Sequence, residues 1–138
     1  MRTCFFVVIF LMSVPAHAEE YDERRSVQFV SNYDGDTITV NVPGWPPIIG
    51  QGISVRIFGI DTPEMHDRRV SVHAVAVQAR DLVHSMLSGV QSVEIRHVQR
   101  DKYFRILAEV WVDGVSVASE LLRRGLARPY DGGTKMPW

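Results

Sequence analysis

Val70-Ser71-Val72-His73-Ala74-Val75-Ala76-Val77-Gln78-Ala79-Arg80-Asp81-Leu82-Val83-His84-Ser85-Met86-Leu87 is the stretch at which the hydrophobic period of the chain changes. Val72, Val75, Ala79, Leu82, Val83 and Met86 recur at helical spacing and Gly89 follows as a stop, so the stretch predicts one amphipathic α-helix. On its N-terminal side, Ile53 to Ile60 alternates Ile53, Val55 and Ile57 with Ser54 and Arg56, the period of a strand with one buried face. Further out, Val27 to Tyr33 and Thr37 to Val42 are rich in β-branched and aromatic residues. Asp34-Gly35-Asp36 separates them, which predicts a hairpin. Pro43-Gly44-Trp45-Pro46-Pro47 then has to be a loop between strands.

On the C-terminal side, Ser92 to Val98 and Phe104 to Val112 read as two more strands. The second ends in the turn Asp113-Gly114, and Val117 to Arg124 followed by Gly125 gives a short helix. Five short strands with a helix between the third and fourth is the element order of an OB-fold. The expected fold class is therefore β-rich α+β, a five-stranded OB-fold barrel with a helix between strands 3 and 4 and a short C-terminal helix. Such barrels often bind oligonucleotides, but element order by itself implies no activity.

The chain has 138 residues, 22% charged and 46% hydrophobic, which suits one globular domain. Its first eighteen residues read differently: Arg2, the apolar run Phe5 to Met12, Pro15 and the small-residue motif Ala16-His17-Ala18 predict a cleaved secretory signal. A membrane anchor would need about 20 apolar residues, and this run is far shorter. The expected organisation is a signal over 1–18, an acidic N-terminal tail over 19–26 and a domain over 27–138. The product is expected in the periplasm or outside the cell, monomeric and without stable membrane association. Cys4 lies inside the signal, so the mature chain would hold no disulfide and no thiolate metal ligand.

The whole chain carries 15 basic and 16 acidic residues, and removal of 1–18 takes away only Arg2, leaving 14 against 16. That excludes a surface that coats nucleic acid by charge alone. Glu19, Glu20, Asp22 and Glu23 crowd the new N-terminus, however, and without them the balance is 14 basic to 12 acidic. Binding of a polyanion would rest on a local basic site.

Three short stretches hold acids and cations where phosphate chemistry needs them: Asp34-Gly35-Asp36-Thr37, Arg56-Ile57-Phe58-Gly59-Ile60-Asp61-Thr62-Pro63-Glu64, and Asp101-Lys102-Tyr103-Phe104-Arg105. Singly, each has a structural explanation. The first is an ordinary hairpin turn, the second a helix start with Thr62 as cap and Pro63 in the first turn, and the third a solvated turn with a surface ion pair. Together they supply Asp36, Asp61 and Glu64 as hard oxygen donors and Arg56 and Arg105 as planar guanidinium donors. Because Thr62 precedes Pro63, its backbone is biased toward an extended form that leaves its carbonyl free to ligate.

These stretches resemble the signature segments of the staphylococcal nuclease (thermonuclease) family, over roughly Phe29 to Tyr130, and Gly125-Leu126-Ala127 fits the same pattern. The resemblance implies one calcium ion on Asp36, Asp61 and the carbonyl of Thr62. It implies Glu64 beside the metal and the attacking water, with Arg56 and Arg105 on the reacting phosphate. Lys102 and Tyr103 would contact a neighbouring phosphate, and Tyr130 would lie near the base by stacking or by plain packing. The implied activity is calcium-dependent hydrolysis of phosphodiester bonds in DNA and RNA, leaving 3'-phosphates.

Two features depart from the family pattern. Phe104 stands where glycine is usual, just before Arg105, and is expected to pack under the barrel in a variant turn. The family's further C-terminal helix has no counterpart before Trp138, which implies a smaller core. Of the histidines, only His66 is close in sequence to the acids, and it reads as a solvated loop residue. Two rivals remain at this level: a catalytically silent OB-fold module that binds nucleic acid, and a calcium-stabilised structural domain. The second leaves both arginines without a task.

Overall fold

The computed structural model describes residues 24–103 and 105–138, so the signal at 1–18, most of the acidic tail and the packing of Phe104 lie outside the described residues. The elements run β1 (Arg25–Asn32), β2 (Thr37–Asn41), α1 (Pro47–Gly50), β3 (Ile53–Ile57), β4 (Ile60–Asp61), α2 (Val70–Leu87), β5 (Val93–Arg100), β6 (Ile106–Val112), β7 (Val115–Ser116), α3 (Val117–Arg123) and β8 (Arg128–Pro129). β1 opens at Arg25, two residues ahead of the expected start, because Arg25 and Ser26 already pair with Ile95 and Glu94 of β5.

The sheet runs β3-β2-β1-β5-β6-β7, and a further pairing of β3 with β6 closes it. That closing pair is parallel, with Val55 opposite Ile106, Arg56 opposite Leu107 and Ile57 opposite Ala108. Closure removes the open edges of the sheet. The result is the five-stranded OB-fold barrel that the element order predicts.

Alternation explains the interior. Ile38 and Val40 of β2, Val55 and Ile57 of β3, Val93 and Ile95 of β5, and Ala108 and Val110 of β6 are buried every second residue. Each fully buried isoleucine or valine stabilises the fold by roughly 1.5–3 kcal/mol relative to exposure. α2 presents Ala79 and Val83 to that core, as its period predicts, together with Leu87 rather than the expected Met86, which is only partly buried, and α3 adds Val117 and Leu121. The Ser116 hydroxyl accepts from the Ser119 amide, capping α3.

Two expectations need correction. The third strand does not continue from Ile53 to Ile60: it stops at Ile57, and Gly59 turns the chain with φ 84°, a conformation that a side chain would strain. Ile60 and Asp61 then leave the barrel sheet and pair with Pro129 and Arg128. The Pro/Gly cluster is not loop throughout, since Pro47 starts the short helix α1.

Candidate active site

The site begins in the β1–β2 turn. The Asp34 carboxylate accepts the amides of Asp36 (3.1 Å) and Thr37 (2.8 Å), a local clasp that turns the chain without help from the sheet. Burial, and then the nearby charge of Asp36, raise the Asp34 carboxyl above its ordinary pKa. Gly35 is required by space: a Cβ there would lie 2.6 Å from Ala79 Cβ and 2.9 Å from Thr62 Cγ2. The turn therefore sits directly against α2 and the Thr62 segment.

That close approach delivers Asp36 into a buried network. Its Oδ2 accepts from the Thr62 amide at 2.8 Å and the Thr62 hydroxyl at 2.9 Å, while its Oδ1 is ion-paired with Arg56 Nη1. Arg56 also donates to the carbonyls of Asp36 and Ile60, each at 3.1 Å, and approaches Asp61 Oδ1 at 3.4 Å. Asp36, Arg56 and Asp61 are only 7%, 8% and 4% exposed. One guanidinium between two carboxylates leaves the trio negative, a state that burial makes costly unless another cation approaches.

A cation does approach, from the C-terminal tail. Lys135 Nζ stands 2.7 Å from Asp61 Oδ1 and 3.5 Å from Glu64 Oε1. Trp138 Nε1 donates to Asp61 Oδ2 at 3.3 Å, its carbonyl accepts from Arg69 at 2.6 Å, and the Arg128 guanidinium lies over its ring at 4.5 Å. Partial burial pulls the Lys135 ammonium down, but its hydrogen bond to Asp61 and the charges of Asp61, Glu64 and Asp36 reverse this and raise its pKa.

The opposite wall is the turn between β5 and β6. Asp101 Oδ1 accepts the amides of Tyr103 (2.8 Å) and Arg105 (2.9 Å), and its Oδ2 accepts from Arg105 Nε (2.8 Å). This is the surface ion pair that the sequence allows, here also orienting Arg105. The Lys102 ammonium and the Arg105 guanidinium lie 5.3 Å and 5.5 Å from the centre of the exposed Tyr103 ring.

Asp36, Arg56, Thr62, Glu64, Lys102, Tyr103, Arg105 and Tyr130 all line one cleft of about 470 Å³, with Asp61 buried behind Lys135. An adjoining hollow of about 250 Å³ is walled by Phe58, Leu107, Tyr103 and Tyr130. Thr62 does not cap a helix, because its amide and hydroxyl go to Asp36 and α2 starts only at Val70. Among the described residues, His73 bonds the Met65 carbonyl, His84 the Asn32 side chain and His97 the Glu109 carboxylate, while His66 is exposed.

The donor chemistry fits a hard divalent cation. Asp36 and Asp61 supply buried carboxylate oxygens, and the Lys135 ammonium already seated on Asp61 shows that this pole attracts positive charge. Among the described residues no three His, Cys, Asp or Glu side chains gather as a ready-made metal cluster. A cation would thus need backbone carbonyl and water oxygens as well.

Sequence reasoning passed over Lys135, Trp138 and the orienting role of Asp101. Neither tail residue belongs to a period or a motif. Both reach Asp61 because β4 and β8 pair, bringing residues after Pro129 beside the turn at Gly59, whose carbonyl accepts the Tyr130 amide at 2.9 Å.

Comparison with known proteins agrees with this geometry. Residues 54–135 match the model of the staphylococcal nuclease homologue family, a span that includes Arg56, Asp61, Glu64, Arg105 and Lys135. The chain is 35% identical over 127 residues to endonuclease YncB of Bacillus subtilis (strain 168), covering 86% of this chain and 56% of that protein. It is 39% identical over 110 residues to the SPbeta prophage-derived endonuclease YokF of the same organism, covering 74% and 34%. It is 32% identical over 107 residues to the thermonuclease of Staphylococcus hyicus, covering 76% and 59%. The chain thus spans about half or less of the length of the first two relatives. With the barrel, the buried acid pair and the arginine turn in the family's order, the chain belongs to the family of staphylococcal nuclease homologues.

Proposed function

We propose that the chain is an exported, calcium-dependent nuclease that hydrolyses phosphodiester bonds of DNA and RNA, preferring single strands, and leaves 3'-phosphates. The observation that carries this reading is the buried carboxylate of Asp36 at the floor of a cleft, with buried Asp61 just behind Lys135, and an opposite wall that carries Lys102 and Arg105. Negative charge on one side suits a metal, and positive charge on the other suits a polyanion.

Asp36, Asp61 and the Thr62 carbonyl would hold one calcium ion, which when bound supplies charge neutralisation on the phosphate and a site for water. Glu64, 59% exposed at its side chain and held only at 3.5 Å by Lys135, would turn toward the attacking water and take its proton. Water oxygen adds to phosphorus as its proton passes to Glu64, the bond to the 5' oxygen breaks, and that oxygen takes a proton from solvent to leave as the alcohol. Arg105, oriented by Asp101, donates to the oxygens on which negative charge grows, on the departing side. Arg56 reaches the same phosphate from the floor, where Asp36 and the Ile60 carbonyl fix it. Lys102 and Tyr103 bind a flanking phosphate and Tyr130 a base.

Export follows from the N-terminal pattern, and the mature chain is expected to begin near Glu19 as a monomer in the periplasm or medium. Among the described residues no helix is long and apolar enough to cross a membrane. The test is incubation of purified protein with single-stranded DNA and RNA, first with calcium and then with excess chelator. Cleavage to 3'-phosphate ends that stops on chelation is expected, and unchanged cleavage in chelator overturns the calcium reading.

A further inference from the structure

A second cleft, also of about 470 Å³, adjoins the first at Arg105, which lines both. Its walls are Trp45, Ile48, Ile49, Ile53, Arg100 and Ile106. Ile48 is 90% exposed and Ile49 53% exposed, side by side on α1. The loop that carries them is built to hold this shape. The Val42 amide donates to the Gly50 carbonyl at 2.6 Å, the Ile49 amide to Pro46 at 2.9 Å and the Gly52 amide to Asn41 Oδ1 at 2.9 Å. A Cβ on Gly50 would lie 2.8 Å from Trp45 Cβ, so the turn rests against the base of that side chain, and Arg25 lies over the Trp45 ring at 5.2 Å. A loop whose backbone is fixed while adjacent apolar side chains stand in water marks a surface that takes a partner.

We propose that this cleft is a subsite for single-stranded nucleic acid, holding a nucleotide that flanks the scissile phosphate. It rests on the nuclease reading above. A nucleotide presents an apolar base face and an anionic phosphate, and the cleft presents both complements: Trp45, Ile48 and Ile49 for the base, Arg100 for the phosphate. Continuity through Arg105 selects this occupant, because a strand gripped there has this cleft beside it. None of these side chains except Arg105 belongs to the proposed catalytic group.

The test compares wild type with the double variant Ile48→Ser/Ile49→Ser and with Arg100→Gln, each confirmed as folded by circular dichroism. Cleavage is measured on a 20-nucleotide single-stranded DNA and on a 5'-phosphorylated thymidine dinucleotide. The double variant is expected to raise KM for the 20-mer about tenfold, within the range for loss of one base contact. Its turnover, and its cleavage of the dinucleotide, should stay unchanged. Arg100→Gln should flatten the slope of log Kd against log salt by about 0.7, the loss of one single-strand phosphate contact. Equal KM changes on both substrates, or none on either, overturn the subsite. Fluorescence anisotropy of the labelled 20-mer separates this from the parent reading. If wild type cleaves nothing the nuclease reading falls, and if variants bind the 20-mer as wild type does the subsite falls. Variants that keep 20-mer binding but lose binding to anionic phospholipid vesicles would reassign the patch to a membrane surface.

Discussion

On the floor of the cleft Asp36, Arg56 and Asp61 are almost sealed from solvent and satisfy one another and nearby carbonyls, whereas on the rim Glu64, Lys102 and Tyr103 stand exposed and Arg105 is half-buried. The floor is tied to the barrel by long-range bonds, such as Thr62 to Asp36. The rim is held by bonds within one turn, Asp101 to Tyr103 and Arg105. Buried charge that depends on fixed partners is costly to disturb, while exposed charge is cheap to change but close to substrate. The two regions should therefore fail differently when altered: floor variants through stability and metal binding, rim variants through turnover or substrate affinity with the fold intact.

The largest effect is expected from Asp36→Ala, which leaves the buried Arg56 guanidinium without its main carboxylate partner. It should cost about 3–5 kcal/mol of stability in urea unfolding. A loss near zero would erase the distinction between floor and rim. Next comes Arg105→Lys, which keeps the charge but loses the planar fork, and should lower turnover on the order of 10²- to 10³-fold with unchanged stability. Lys102→Arg, on a flanking phosphate, should change KM mildly and leave turnover alone. Near-normal turnover in Arg105→Lys would remove Arg105 from the transition state, with Phe104 beside it as the first residue to suspect.

Lys135→Ala probes the boundary between the two regions. Its ammonium shares Asp61 with any arriving metal, so the variant should bind calcium about two- to fivefold more tightly in calorimetry, the scale of a part-exposed ion pair. Weaker binding would make Lys135 a supporter of the metal site instead of a competitor. The smallest effect is expected far from the cleft. The Arg123 hydrogen bond, and then that of Arg124, hold Glu120 at a pKa of about 2 against an ordinary 4.5. Its stabilising contribution is present above pH 4.5 and is lost as pH falls toward 2, so Glu120→Gln should lower Tm slightly at pH 7 and not at all near pH 2.

How much of this was legible depends on whether a residue's place is set by local pattern. α2 has the bounds that its eighteen-residue period predicts, and the barrel follows from the order of periods. The acids Asp36 and Asp61 stand out because each lies in a short stretch whose neighbouring residues carry a chemistry of their own. The break at Gly59 was hidden because the apolar residues Ile57, Phe58 and Ile60 continue past it as a strand would. Lys135 and Trp138 were hidden for a different reason, since their place at Asp61 depends on the pairing of Asp61 with Arg128, a contact that no local pattern announces.

The division between a metal-holding floor and a phosphate-handling rim is tested most directly by calcium titration of wild type and Asp61→Asn in parallel calorimetry. One ion per wild-type chain, with binding lost or severely weakened in Asp61→Asn, is the result this account predicts. Equal affinity in the two proteins, or binding abolished instead by His66→Ala, would contradict it.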